Sequence, residues 1–471
     1  MELLYDIHDR PSKGKTLLFA LQQLLAILAG TITLPLVVGY GLSQSAALFG
    51  AAVGTLVYLT ITKFRSPVFL GSSFTYLSPM MAAFASVVTY TGIENNDIGY
   101  FGIVLGALLA GLVYVILSII VKHTGTGWVE KVFPPVIIGP VVMLIGLTLA
   151  PGAITNLYKP GIQLGVLSQS ESFISKCICI LVGLVTLFTV VAVATHAKKF
   201  TKFIPFIIGI FAGYAVASLF TVIGIATNTE ALKIIDFSLF KNLKWIPDFA
   251  FIHAFKGMKA ISASEHAWRY VLLIIGSYVP LSFAIFSEHI ADHKNLSSII
   301  EHDLTVDPGL SRTAMGDGVG SMVGALFGGC PNTTYGESIS CVAFSKNASI
   351  ITIVVTSVLA IAFSFFAPLM TFFQTIPPCL VGGLSIALYG YIASSGLKMV
   401  QKVDMGDVKN IFIISSILVC GIGSLFIDFY HFQLTAVPSA LIIGLLVNLV
   451  VSLPLKKKAK KVEENKENPE K

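Results

Sequence analysis

Three carboxylates stand where the surrounding sequence leaves them little water. Glu288 follows eighteen uncharged residues, Tyr270 to Ser287. Asp292 comes four residues later in Glu288-His289-Ile290-Ala291-Asp292, so a helix carries both acids on one face. A carboxylate inside a span is costly and faces a cavity or a partner. Two acids this close in a low dielectric resist double ionisation, so one of them holds a proton near neutral pH, as a proton-coupled carrier requires. Glu337 ends the run Pro331-Asn332-Thr333-Thr334-Tyr335-Gly336-Glu337. Its proline and threonines favour an extended approach, Gly336 allows a tight turn, and a helix begins near Glu337. The free N–H groups and positive dipole end of that helix would face the membrane centre.

Other polar residues join these acids. Gln23, in the first apolar stretch, either bonds a neighbouring helix or lines the site. His289 is a further candidate beside Glu288, and Asp317, between two glycines, reads as a loop or helix-start residue. The set suits a planar ligand with donors and acceptors. A carboxylate accepts ring N–H groups, backbone N–H groups at two half-helix starts donate to carbonyl oxygens, and Phe74 offers a face for stacking. No nucleophile–base–acid set and no metal-ligand cluster lies within the apolar stretches, so the chain does not read as an enzyme.

The elements that must position these residues are membrane spans. The 471 residues are 55% hydrophobic and 12% charged, with mean hydropathy +0.83, too little charge to cover a soluble surface of this size. Residues 16–62 and 347–397 contain no charged side chain. About 20 apolar residues cross the hydrocarbon core, so each run holds two crossings. They are too uniformly apolar for barrel strands, which leaves helices. The net charge of +6 lies largely in loops and tail and points to no nucleic acid. Six cysteines show no disulfide or zinc spacing and read as small buried hydrophobes. The N-terminus is polar for about 15 residues and then enters an apolar span with no clear cleavage site, so the first helix is expected to act as its own insertion signal.

Fourteen spans are expected, at 16–37, 44–62, 68–88, 99–121, 132–150, 173–195, 203–225, 270–293, 311–328, 337–345, 348–368, 378–398, 408–427 and 434–454. Short connections on one side hold Lys63, Arg65, Lys122, Lys131, Lys198, Lys199, Lys202, Lys294, Arg312, Lys346, Lys398, Lys402 and Lys409, against Lys159 and Lys176 on the other. That bias predicts cytoplasmic termini, 1–15 and a disordered, charge-dense tail 455–471, with an extracellular loop at 226–268 that carries Trp245. Fourteen divides into two halves of seven, which must be inverted. The third span of each half is broken by a polar stretch, Gly71 to Pro79 and Pro331 to Ser338, each centred on Thr-Tyr. Paired broken spans mark a midplane binding site in a transporter.

The chain resembles the nucleobase–cation symporter 2 family, the nucleobase–ascorbate transporters, and within it the bacterial uracil permeases. The likeness runs from about Leu21 to Leu453. It rests on Gly71-Ser72-Ser73-Phe74, Gly125-Thr126-Gly127-Trp128, Phe133-Pro134-Pro135, Asp307-Pro308-Gly309-Leu310 and the run ending at Glu337. It implies an all-α, fourteen-span fold of 7+7 inverted repeats. Spans 1–4 (16–121) and 8–11 (270–368) would form a core domain, and spans 5–7 (132–225) and 12–14 (378–454) a gate domain with a dimer contact. It implies proton-coupled uptake of uracil at the plasma membrane by an elevator motion of core against gate, with no cofactor beyond the proton. Glu288 and Glu337 would bind the base, Phe74 would stack on it, backbone groups at Ser73 and Gly336 would assist, and Tyr335 would line the site. Glu288, Asp292 and Glu337 would carry the coupling proton. Two positions depart from the pattern. Gln22-Gln23 stands where the family often has Gln-His, and Asp292 stands where uracil permeases have histidine and many xanthine and urate carriers have aspartate. Those purines are the alternative substrates. An anion exchanger or channel on the same fold is the third reading, opposed by acids where a cation would serve.

Overall fold

Apolar stretches with no hydrogen-bond partners in lipid must close their own backbone bonds, and here they do so as helices. The structure, a computed structural model, describes residues 3–125, 127–128, 134–162, 168–198, 201, 204–425, 427–428, 433–434 and 436–453. Lys131, Lys199, Lys202, Thr126, Phe133 and the tail 455–471 lie outside them. In chain order the helices are α1 (Lys13–Val38), α2 (Gln44–Ile61), α3 (Leu77–Ala85), α4 (Val87–Thr91), α5 (Asn96–Thr124), α6 (Pro135–Thr148), α7 (Ala150–Asn156), α8 (Gln169–His196) and α9 (Pro205–Ala226). There follow α10 (Ala250–Ile261), α11 (Ala267–Ile300), α12 (Leu310–Gly328), α13 (Gly336–Ser345), α14 (Ile350–Ser364), α15 (Ala367–Gln374), α16 (Pro378–Val400), α17 (Val408–Ile422) and α18 (Ala436–Ser452). Each expected apolar stretch contains a helix. Among the described residues eight helices are long and apolar enough to cross a membrane, counting α6 with α7, and α14 with α15, bent by 75°, would make a ninth. Helices α17 and α18 are apolar but shorter. The chain is a mostly helical, multi-pass membrane protein.

Local chemistry sets many of the helix ends. Asn95 caps α5 through the Asp97 N–H, and Ser168 with Glu171 forms a capping box at α8. Prolines that cannot donate open α6, α9 and α16. Helix α12 lies between α2 and α5. Its approach to α2 needs glycine, because a Cβ on Gly54 would stand 2.5 Å from the Gly320 carbonyl oxygen and one on Gly50 2.3 Å from that of Gly324. Helices α1 and α14 pack on α2 and on each other, and α13 packs on α1, whereas α16 packs on α6, α7 and α8, and α17 on α6 and α18. Helix α11 touches both sets, meeting α5 and α13 on one side and α6 and α18 on the other.

The two broken stretches are extended, as expected. They form strands β1 (Leu70–Ser72) and β2 (Asn332–Thr334), which pair antiparallel with Leu70 opposite Thr334 and Ser72 opposite Asn332. Extended backbone at membrane depth is tolerated only when its polar groups are met by protein. Besides the mutual ladder, Phe69 N–H donates to Ser338 Oγ at 2.9 Å and Leu70 N–H to Thr55 Oγ1 at 2.9 Å, while Asn332 N–H donates to Ser321 Oγ at 3.1 Å. The segment between α9 and α11 packs against the body. Trp245 meets Phe366 edge-on at 6.5 Å, Phe249 meets Phe49 at 5.1 Å, and α10 lies along α5. Of the six cysteines Cys177 is exposed, a departure from the expectation of burial, because its side of α8 is little covered by other helices.

Candidate functional site

Helix α11 does not stop at the acids. It continues to Ile300, so Glu288 and Asp292 sit within a continuous helix rather than at a fraying end. Glu288 is exposed and Asp292 half-buried, with Thr334 of β2 donating its hydroxyl to Asp292 Oδ2 at 3.1 Å. Glu337, also half-buried, is the second residue of α13. These charges lie within electrostatic reach of one another and of Asp317. Asp292 on α11 and Glu337 at the start of α13 flank β2, with Glu288 one turn before Asp292, and this region can accept hydrogen bonds.

Both strands end in helix starts. β1 leads into a 3-10 turn at Phe74–Tyr76, whose first N–H groups are those of Phe74 and Thr75, and β2 leads into α13. The opening N–H groups of each turn have no acceptor inside it and carry its positive end. Phe74 is half-buried and packs partly on the hydrophobic core. The Ser73 N–H, expected to assist a ligand, is instead committed to the Pro331 carbonyl at 2.9 Å, which ties the strand ends together. On the β1 side Phe74 and Thr75 offer the next amides.

Tyr335 and Gly336 also differ from expectation. The Tyr335 side chain is buried rather than open to the site. Its ring fills a slot that two glycines create: a Cβ on Gly71 would stand 2.6 Å from ring carbons, and one on Gly30 would overlap the phenol oxygen. Gly336 has an ordinary negative φ and an ideal Cβ would meet nothing within 4 Å, so no tight turn demands glycine there. Its lack of a side chain leaves the N–H at the start of α13 approachable. Gln23 is buried, and its Nε2–H donates to Ser338 Oγ at 2.5 Å, holding α1 to the first turn of α13.

Sequence reasoning missed Asp317. It lies within α12, with its side chain fully inaccessible, 2.7 Å from Nδ1 of His289. The flanking glycines that resemble a loop are packing residues, since a Cβ on Gly318 would stand 2.6 Å from Tyr114 Cβ and one on Gly316 3.0 Å from the Tyr58 ring. An acid between two glycines in a run without charge, from Thr313 to Ser345 apart from Glu337, was the available signal. Among the described residues no three His, Cys, Asp or Glu side chains converge as metal ligands.

Comparison with known proteins identifies the family. The sequence model of the Permease family (Xan_ur_permease) matches residues 14–428. The chain is similar to the uracil permease of Bacillus caldolyticus, at 36% identity over 95% of this chain and 94% of that protein. It is similar to the uracil permease of Bacillus subtilis (strain 168) at 34% identity, over 94% of each chain. Among solved structures it is similar to murine Solute Carrier 26 family member A9, an anion transporter, with TM-score 0.56 at 12% identity, over 94% of this chain and 69% of that one. At that identity the likeness concerns the fold alone.

Proposed function

The chain belongs to the Permease family, and from that premise we propose that it imports uracil together with protons across the plasma membrane. The observation that carries the reading is the convergence of Glu288, Asp292 and Glu337 on two paired strands that each end in a helix start. Uracil presents ring N–H donors and carbonyl acceptors in one plane. Glu288 and Glu337 accept the N–H groups, the amides of Phe74 and Gly336 donate to the carbonyls, and Phe74 covers a ring face. Asp292, bonded to Thr334, shares the proton with Glu288 and Glu337. Protonation neutralises the crowded acids, and the loaded, less charged site crosses more readily. The two curated relatives are both named uracil permeases, which supports the substrate.

The motion we propose is an elevator. Spans 1–4 and 8–11 form a core that carries the site past a gate of spans 5–7 and 12–14, in a fourteen-span inverted repeat with both termini in the cytoplasm and a homodimeric gate contact. A purine proton symporter, for xanthine or urate, is the second reading, favoured by Asp292. An anion exchanger would share the fold but would place an anion beside carboxylates, an unfavourable contact. Uptake of radiolabelled uracil in cells lacking their own permease tests the proposal. Saturable uptake that unlabelled uracil blocks, and that collapses with the proton gradient, is expected. Uptake blocked by xanthine and not by uracil would transfer the assignment to purines.

A further inference from the structure

Helix α11 carries two acid–histidine pairs four residues apart, Glu288-His289 and Asp292-His293. Each residue turns the helix by about 100°, so the acids share one face and the histidines the adjacent one. The faces meet opposite surroundings: Glu288 is exposed and Asp292 half-buried, whereas His289 and His293 are each 1% exposed. We propose that His289 and His293 are positioning residues, a buried clamp that fixes the rotation of α11 so that Glu288 and Asp292 face the broken segments.

The two rings hold α11 to two different neighbours. His289 Nδ1 lies 2.7 Å from Asp317 Oδ2 and its Nε2 3.2 Å from Thr313 Oγ1, both on α12, and Tyr114 of α5 meets the ring edge-on at 5.9 Å. His293 Nε2 lies 2.8 Å from the Tyr58 hydroxyl of α2, itself 2.7 Å from Ser66 Oγ, and its Nδ1 lies 3.0 Å from the His289 carbonyl. The ring centroids are 4.1 Å apart. A carbonyl and an ionised carboxylate only accept, so both rings carry hydrogen on Nδ1, while the Thr313 hydroxyl donates to the Leu310 carbonyl at 3.1 Å and the Tyr58 hydroxyl to Ser66 Oγ at 2.7 Å. The two Nδ1–H bonds stand with both rings neutral, and each Nε2 lies against a hydroxyl oxygen, that of Thr313 or of Tyr58. The anchors are firm, because α2 and α12 touch through Gly50, Gly54, Gly320 and Gly324. Release of either ring would strand a buried acceptor or hydroxyl and free the helix to turn its acids away.

The uptake arm of the test rests on the uracil reading; the labelling arm does not. In a chain whose native cysteines are replaced, the rate at which a small thiol reagent labels E288C reports the facing of position 288. His289→Ala is expected to change that rate about fivefold or more, and in the chain with Glu288 intact to raise the KM for uracil about tenfold, while gel filtration shows a folded protein. His289→Asn returns an amide N–H to the place of Nδ1–H and is expected to restore both readings to within about threefold. Labelling unchanged by His289→Ala, or His289→Asn as impaired as alanine, would overturn the clamp. If His289→Ala does not fold, Asp317→Asn keeps an acceptor for the ring and should hold E288C labelling within about threefold of the parent; a larger change also overturns it. Absence of uracil uptake by the wild-type chain would refute the transport reading and leave the labelling result standing.

Discussion

Glu288 and Asp292 share a helix face yet meet different partners. Asp292 takes the Thr334 hydroxyl at 3.1 Å, whereas Glu288 is exposed. Asp292→Asn should therefore leave uracil affinity within about threefold of wild type and flatten the pH dependence of uptake, since it removes an acid rather than a binding contact. Uptake measured from about pH 5 to 8 checks this, a window above the ordinary carboxylate values, and an unchanged profile would exclude Asp292 from coupling. Gly71 supports a second prediction. Its missing Cβ admits the Tyr335 ring, so Gly71→Ala overpacks the slot by an amount worth about 1–3 kcal/mol. A lowered Tm for Gly71→Ala, with a smaller loss for Gly336→Ala, whose Cβ meets open space, is expected. Equal losses would contradict the slot. At this scale the sequence exposed what breaks a pattern: Glu288 and Glu337 are visible because apolar runs surround them. Asp317 hid because its flanking glycines resemble a turn, and their real reason, contact with Tyr58 and Tyr114, belongs to helices far away in sequence.

Between elements, the connection from α9 to α11 is fastened by a histidine. His253 of α10 has Nδ1 2.7 Å from Asp97 Oδ1 of α5 and Nε2 3.0 Å from Asp248 Oδ1, and its ring stacks on Tyr100 at 4.6 Å. Two carboxylates can both be served only by an imidazolium. Partial burial works against that charge, but the hydrogen bonds and charges of Asp97 and Asp248 outweigh it and hold the histidine above its ordinary value. A raised value means that this contact stabilises fully below the unfolded-state value, near pH 6.5, and is lost as pH rises through the folded one. The Tm difference between wild type and His253→Gln should be largest at low pH and shrink as pH rises; a constant difference would show that the charge plays no part. On the opposite side of the sequence's expected topology, the exposed Arg65–Asp307 pair holds Asp307 below the usual carboxylate range, but its exposure makes it worth little to stability. The strands show why elements were only partly legible. Gly71 to Pro79 and Pro331 to Ser338 read as broken, yet three-residue strands have no alternation to reveal their partner. Their pairing follows from the need to satisfy extended backbone away from water.

Across the whole molecule, apolar runs fixed the helices closely, because lipid permits few alternatives. The bend between α14 and α15 and the packing of α10 on α5 were not legible, since both depend on neighbours distant in sequence. Lysine placement predicts cytoplasmic termini. A tag after residue 471 should therefore resist added protease in intact cells and be cut only after the membrane is opened. Cleavage in intact cells would invert the topology. Glu288 and Glu337 are proposed to join substrate and proton at one site, and transport by the purified protein tests this most directly. In vesicles containing the purified protein, an inward proton gradient should drive uracil accumulation and uracil entry should carry protons with it. Glu288→Gln and Glu337→Gln should each lower uracil entry by about a hundredfold, the size expected when a charged hydrogen bond of about 3 kcal/mol is lost. Uracil entry at the wild-type rate in either variant, or accumulation indifferent to the gradient, would contradict the account.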